Sequence, residues 1–180
     1  MLALSFWNKF STRTKRILSI LFFFLLSIVL TTAGTLTPLT QSQAQDYRKE
    51  LEQVRQNVTV QNIFGNNFMI CLVMFVPIVG PVFGLYVLYN TGVFIAADAM
   101  TSSAPYPAPL GFFLLFIFPF TWLEFISYST AFAESVWLIR RIFQHRGRKE
   151  LVNACVLIAI CAAMLLLAAV IEFGIISMIT

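Results

Sequence analysis

Histidine is all but missing from this chain: His145 stands alone, in a short basic loop. That excludes a histidine-based metal site, a Ser–His couple and a zinc-protease HExxH helix. Charge is scarce as well, at 11% of residues, where a soluble globular chain carries about 25%. The three cysteines, Cys71, Cys155 and Cys161, all fall within apolar runs, where thiols act as small hydrophobes rather than as a disulfide framework. There is no glycine-rich phosphate loop. Met69, Cys71 and Met74 are soft enough for copper in principle, but side chains of this kind inside an apolar run are explained by packing. With no catalytic constellation in view, neither an enzyme nor a bound cofactor or metal is expected.

What the chain has in quantity is hydrocarbon. Hydrophobic residues make up 59% of it, with nineteen phenylalanines and a mean hydropathy of +0.83. An integral membrane protein of the all-α class follows. The net charge of +4 is gathered in two short clusters, which read as topology signals and point to no nucleic-acid partner. One cluster is the front Lys9, Arg13, Lys15 and Arg16, followed by an apolar run from Ile17 to about Ala33. It reads as a retained signal anchor, although a signal peptide cut near 42–45 has a similar pattern. The other is the loop holding Arg140, Arg141, Arg146, Arg148 and Lys149.

Three regions are expected: 1–36, a cytoplasmic tail with the signal-anchor helix; 37–62, an external amphipathic helix and loop; and 63–180, a transmembrane bundle. In the second, Tyr47, Leu51, Val54 and Val58 recur on one helical face. That helix either docks a partner or lies on the membrane or on its own bundle. The sequon at Asn57 is a candidate glycosylation site. Apolar runs follow at 63–88, 93–100, 110–139 and 151–179, and the long ones exceed the roughly 20 residues a bilayer requires. Placing both basic clusters in the cytoplasm demands an even number of crossings between them. The short run must then cross too, giving about five spans, with the N-terminus inside and the C-terminus outside the plasma membrane.

Breaks are expected within these runs. Pro77 and Pro81 each remove a backbone donor, and Gly80 and Gly84 form a small-residue notch. Asn90 and Gly92 suggest a helix restart, and Pro119 a second break that leaves a half-helix before it. Four of the eight acids, Asp98, Glu124, Glu134 and Glu172, lie in apolar runs, whereas no lysine or arginine does. Such carboxylates face a bundle interior, a cavity or a partner. On a helical wheel Thr121, Glu124, Ser127, Tyr128, Ala131, Glu134, Ser135 and Leu138 share one arc, so the acids belong to a seam. Glu134 is expected to share the membrane interface with Arg141, and Glu124 to matter most.

The block IFGNNFMICLVMFVPIVGPVFGLYVLYNTGVFIAADAM, followed by FIFPFTWLEFISYSTAFAESVWL, resembles the stage II sporulation protein M family, particularly its archaeal members, over about residues 60–180. Asn66, Gly84, Asn90, Gly92 and Glu124 match the family pattern. Pro119-Phe120-Thr121 stands where a Pro-His-Gly is common, so no role of that histidine carries over. The resemblance implies a multi-span protein without enzymatic activity, serving a larger assembly. The Phe- and Ile-rich style is similar to that of sequences from ammonia-oxidising archaea, which makes a copper membrane monooxygenase such as ammonia monooxygenase one host to consider.

The expectation is a non-catalytic accessory or scaffold subunit. Its partners would be the lipid bilayer, other integral membrane proteins of a multi-subunit complex and copies of itself in a homo-oligomer. The alternative is a transporter or permease component in which Asp98 and Glu124 line a cation or proton path.

Overall fold

The computed structural model describes residues 11–55, 58–144 and 147–179. These form seven α-helices and, among the described residues, no strand. They are α1 (Thr12–Thr35), α2 (Gln41–Arg55), α3 (Val60–Phe75), α4 (Val79–Thr101), α5 (Ala108–Leu115), α6 (Pro119–Phe143) and α7 (Gly147–Ile179). Three of them, α1, α4 and the Glu150–Met178 part of α7, are long and apolar enough to cross a membrane. The pair α5 and α6, bent by 91°, passes as a fourth. Helix α3, with 16 residues, is a shorter apolar helix.

Inter-helix contacts fix the direction of each traverse. Arg16, Glu134 and Glu150 meet at one end of the bundle, so α1 and α7 start where α6 nears its finish. At the opposite end Thr37 of the post-α1 turn meets the Tyr89 hydroxyl of α4 at 2.8 Å. Asn67 reaches Glu124 early in α6 and Val76 reaches Ser135 late in it, so α3 runs alongside α6 in the same direction. Helices α1, α4 and α7 thus lead away from the arginine-bearing end, and α3 and α6 lead back to it.

The break between α3 and α4 is built by Pro77. A proline disfavours helical geometry in the residue before it, and Val76 is extended, with φ −68° and ψ 124°. Ile78 then takes φ 70° and ψ −54°, and the Val79 amide donates to the Pro77 carbonyl at 2.8 Å, closing a γ-turn. Pro81 falls in the first turn of α4, where a missing N–H costs nothing. The apolar run 63–88 is therefore two helices of a hairpin rather than one span.

The expected restart at Asn90 is a correction: α4 runs unbroken from Val79 to Thr101. The polar side chains there are satisfied inside the helix, Asn90 Nδ2 donating to Tyr86 O and Thr91 Oγ1 to Val87 O, each at 2.9 Å. Gly92 serves a helix crossing instead. A Cβ at Gly92 would collide with the Thr31 carbonyl oxygen and stand 2.8 Å from the Gly34 Cα. The Thr31 hydroxyl, donating to Leu88 O at 3.1 Å, ties the same crossing. Small residues on both helices let the backbones touch, as apolar membrane helices require when no hydrophobic force draws them together.

At Pro119 the chain does break. Residues 116–118 form a turn, and side chains of α6 cap the carbonyls it exposes: Thr121 Oγ1 donates to Leu115 O at 2.8 Å and Trp122 Nε1 to Phe116 O at 2.7 Å. Likewise Ser135 Oγ donates to Val76 O at 2.9 Å at the α3 break. Backbone groups freed within a membrane must find partners in the protein, and α6 supplies them at both breaks.

Helix α6 is the hub. Its arc from Thr121 to Leu138 packs inward, and Ser127, Ser129, Ala131, Ala133, Glu134 and Ser135 are inaccessible. Its aromatic side is shared: Phe125 and Phe132 pack on Phe24 and Phe23 of α1, while Trp122 and Val136 stay exposed. Mid-bundle, Cys71, Met74, Tyr128, Ala131, Cys161 and Leu165 form one buried cluster. Helix α2 lays its apolar face on α4 through Tyr47 and Phe94, and Arg48 donates to the Thr101 carbonyl at the α4 C-terminus.

Candidate functional site

The intramembrane acids separate into three places. Near the end away from the arginines, Glu124 Oε1 accepts from Asn67 Nδ2 at 2.5 Å. Glu172 of α7 and the buried Tyr128 lie within electrostatic reach of it. Asp98, late in α4, accepts from the Tyr106 hydroxyl at 3.2 Å, just past the helix. The third place lies at the arginine-bearing end.

There Glu134 is wholly buried, with Arg16 Nη1 3.2 Å from Oε1. Arg16 also pairs with Glu150, which in turn accepts from Asn153 Nδ2 at 3.3 Å and lies 3.8 Å from Arg141 Nε. Trp137 sits at the centre. Its indole N–H donates to Ser19 Oγ at 3.2 Å, and the guanidiniums of Arg16, Arg140 and Arg141 stand 5.7, 5.5 and 5.7 Å from its ring centroid. Such placement is favourable for cations over an indole face. Among the described residues neither Glu134 oxygen nor Arg141 Nε has a hydrogen bond of good geometry.

Glu134 thus pairs with Arg16 rather than with Arg141, which the sequence had suggested. Proximity along α6 made Arg141 the obvious choice, but Arg141 is drawn to Glu150 and to Gln144, 3.2 Å from its Nη1. Three partners are not marked by residue order: Arg16, whose place in the sequence reads as a topology charge; Glu150, outside the apolar run; and Asn67. The Asn66-Asn67 pair within an apolar stretch was the one signal that could have found the last. Asn57 and Arg146 lie outside the described residues, as do the side chains of Arg148 and Lys149.

Between the acid groups lies packing. Cys71 and Cys161 both direct their sulfurs at the Ser127 carbonyl, at 3.9 and 3.7 Å. With Ala131 and Leu165 they fill the layer that separates Glu124 from Glu134. Those two glutamates are ten residues apart on one helix, about 15 Å along its axis. The described residues hold no group of three or more His, Cys, Asp or Glu positioned for a metal ion.

Apolar helices, capped breaks and acids buried among polar partners define a polytopic helical membrane protein. Within that class the chain belongs to the stage II sporulation protein M family, whose model matches residues 18–177. No curated protein and no solved structure matches it. The match takes in α1 from residue 18 onward and the region of α2, so both belong to the family unit, although the sequence resemblance had begun near residue 60.

Proposed function

We propose that this protein is a non-catalytic membrane subunit that docks into a larger assembly of membrane proteins. The observation that carries the reading is the division of the acids into separate clusters with a buried, close-packed layer of Cys71, Ala131, Cys161 and Leu165 between them. A conduit requires polar groups in succession across the membrane. Here Glu124 is bound to Asn67 and Glu134 and Glu150 to Arg16, so these acids serve as ties between helices, while Asp98 is bound to Tyr106 just past its own helix.

Orientation follows from charge. The end bearing Arg16, Arg140 and Arg141 faces the cytoplasm by the positive-inside rule, and the α2 end faces out. The exposed side of α2, with Lys49, Glu50 and Glu52, is then available to an external partner domain, since its apolar side is spent on α4. Family membership supports a service role, and a copper membrane monooxygenase is one host the chain could serve.

The test is purification of the native protein in mild detergent, with mass spectrometry of whatever co-migrates. Larger membrane proteins in fixed stoichiometry are the expected result and would name the process. A chain that runs alone, or only with itself, would overturn the reading.

A further inference from the structure

Two of the three thiols meet in the middle of the bundle. Cys71 sits on α3 and Cys161 on α7, helices remote in sequence that pack side by side. Both side chains are buried, and both sulfurs approach the Ser127 carbonyl of α6, at 3.9 and 3.7 Å. They are also close enough to share a hydrogen bond with each other. The third thiol, Cys155, lies on a different face of α7 and is exposed.

The bonds these thiols make are easily given up. A thiol is a weak donor, and the Ser127 carbonyl already accepts from the backbone within α6. Loss of both thiol hydrogens would therefore strand no polar group. Two sulfurs in contact have no atom between them to block a bond. Burial keeps water-borne oxidants and alkylating reagents away from the pair. A molecule dissolved in the hydrocarbon can come close, because an open apolar groove of about 500 Å3 lies against the same cluster. Phe75 and Ile158 are common to the two, lining the groove on one side and packing in the thiol cluster on the other.

We propose that Cys71 and Cys161 are a redox-active dithiol that closes to an intramembrane disulfide, with a lipid-soluble quinone as the electron acceptor. Both S–H bonds break and one S–S bond forms. The two electrons and two protons released pass to the quinone oxygens, and the quinone leaves as the quinol. This class of acceptor fits because it takes up two electrons with two protons and partitions into the bilayer, at whose depth the pair lies. The disulfide ties α3 to α7 in the layer between the Glu124 and Glu134 clusters. Closing so long a stretch of chain removes freedom from the unfolded state, so the oxidised bundle is the more stable one.

The test uses the full chain carrying Cys155→Ala, reduced and placed in phosphatidylcholine nanodiscs under nitrogen. A short-tailed ubiquinone is added, whose fully substituted ring disfavours direct thiol addition. The protein is then denatured, treated with N-ethylmaleimide and weighed by mass spectrometry. The expected product carries no maleimide, is lighter than the reduced chain by two hydrogens, and yields peptides linked through Cys71 and Cys161, with one quinol formed per chain. Its unfolding temperature is raised, and dithiothreitol abolishes both the link and the rise. Cys71→Ala and Cys161→Ala should each leave one thiol that takes maleimide, with no rise. The mass of the parent chain decides the matter even if either of these variants folds poorly. Two maleimides on the quinone-treated chain would overturn the proposal, as would a link that joins two chains or a rise that the single-thiol variants share.

Discussion

Arg16 near the start of α1 and Glu134 late in α6 form a buried ion pair with Nη1 and Oε1 3.2 Å apart. The pair joins the N-terminal helix to the hub of the bundle where apolar packing alone gives little direction. Removing one member leaves the other charge buried and unanswered, which costs about 3–5 kcal/mol. Arg16→Gln is therefore expected to lower the thermal unfolding temperature in detergent sharply. The double variant Arg16→Gln/Glu134→Gln should recover much of the loss. A double as unstable as the sum of the singles would mean the two residues act independently.

The α1–α4 crossing depends on backbone contact. In Gly92→Ala the added methyl meets the Thr31 carbonyl, a backbone atom that no rotamer change can move. A loss of about 1–3 kcal/mol is expected, read as thermal stability or as a weakened α1–α4 cross-link. Gly65 and Gly174 have open space where a Cβ would go. Alanine at either should be neutral or stabilising by up to about 1 kcal/mol.

Ile78 holds a positive φ of 70° with its side chain 71% exposed. A β-branched residue is strained in that region by about 1–2 kcal/mol, whereas glycine enters it freely at an entropic cost of about 0.5–1 kcal/mol. Ile78→Gly should be neutral or slightly stabilising in the same unfolding assay, unlike almost any other apolar-to-glycine change in the bundle.

At the outer cluster, Glu124→Gln keeps an acceptor oxygen for the Asn67 amide and should leave stability and assembly yield unchanged. Glu124→Leu strands that amide and should cost about 1 kcal/mol, with a lower yield of any complex. A normal yield from the leucine variant would show that the carboxyl is not a tie.

Much of this could be read from residue order. The arc from Thr121 to Leu138 faces inward as helical spacing required, and Pro119 breaks the chain because its local chemistry acts alone. Asn90 misled because Asn, Thr and Gly are the residues of a cap, yet the same hydroxyl and amide can bond back within a helix, and the same glycine can serve a crossing. Arg16 could not be matched to Glu134 from the sequence, since the pairing exists only once α1 packs antiparallel to α6. The anchor and the α2 region are also part of the family unit, which their own unremarkable composition concealed.

A sealed bundle is tested most directly by proton and cation flux into proteoliposomes that contain the purified chain. Packing of Cys71, Ala131, Cys161 and Leu165 between the acid clusters predicts flux no faster than in empty vesicles. An acid-dependent flux that Glu124→Gln abolishes would contradict it and make the carboxylates a path.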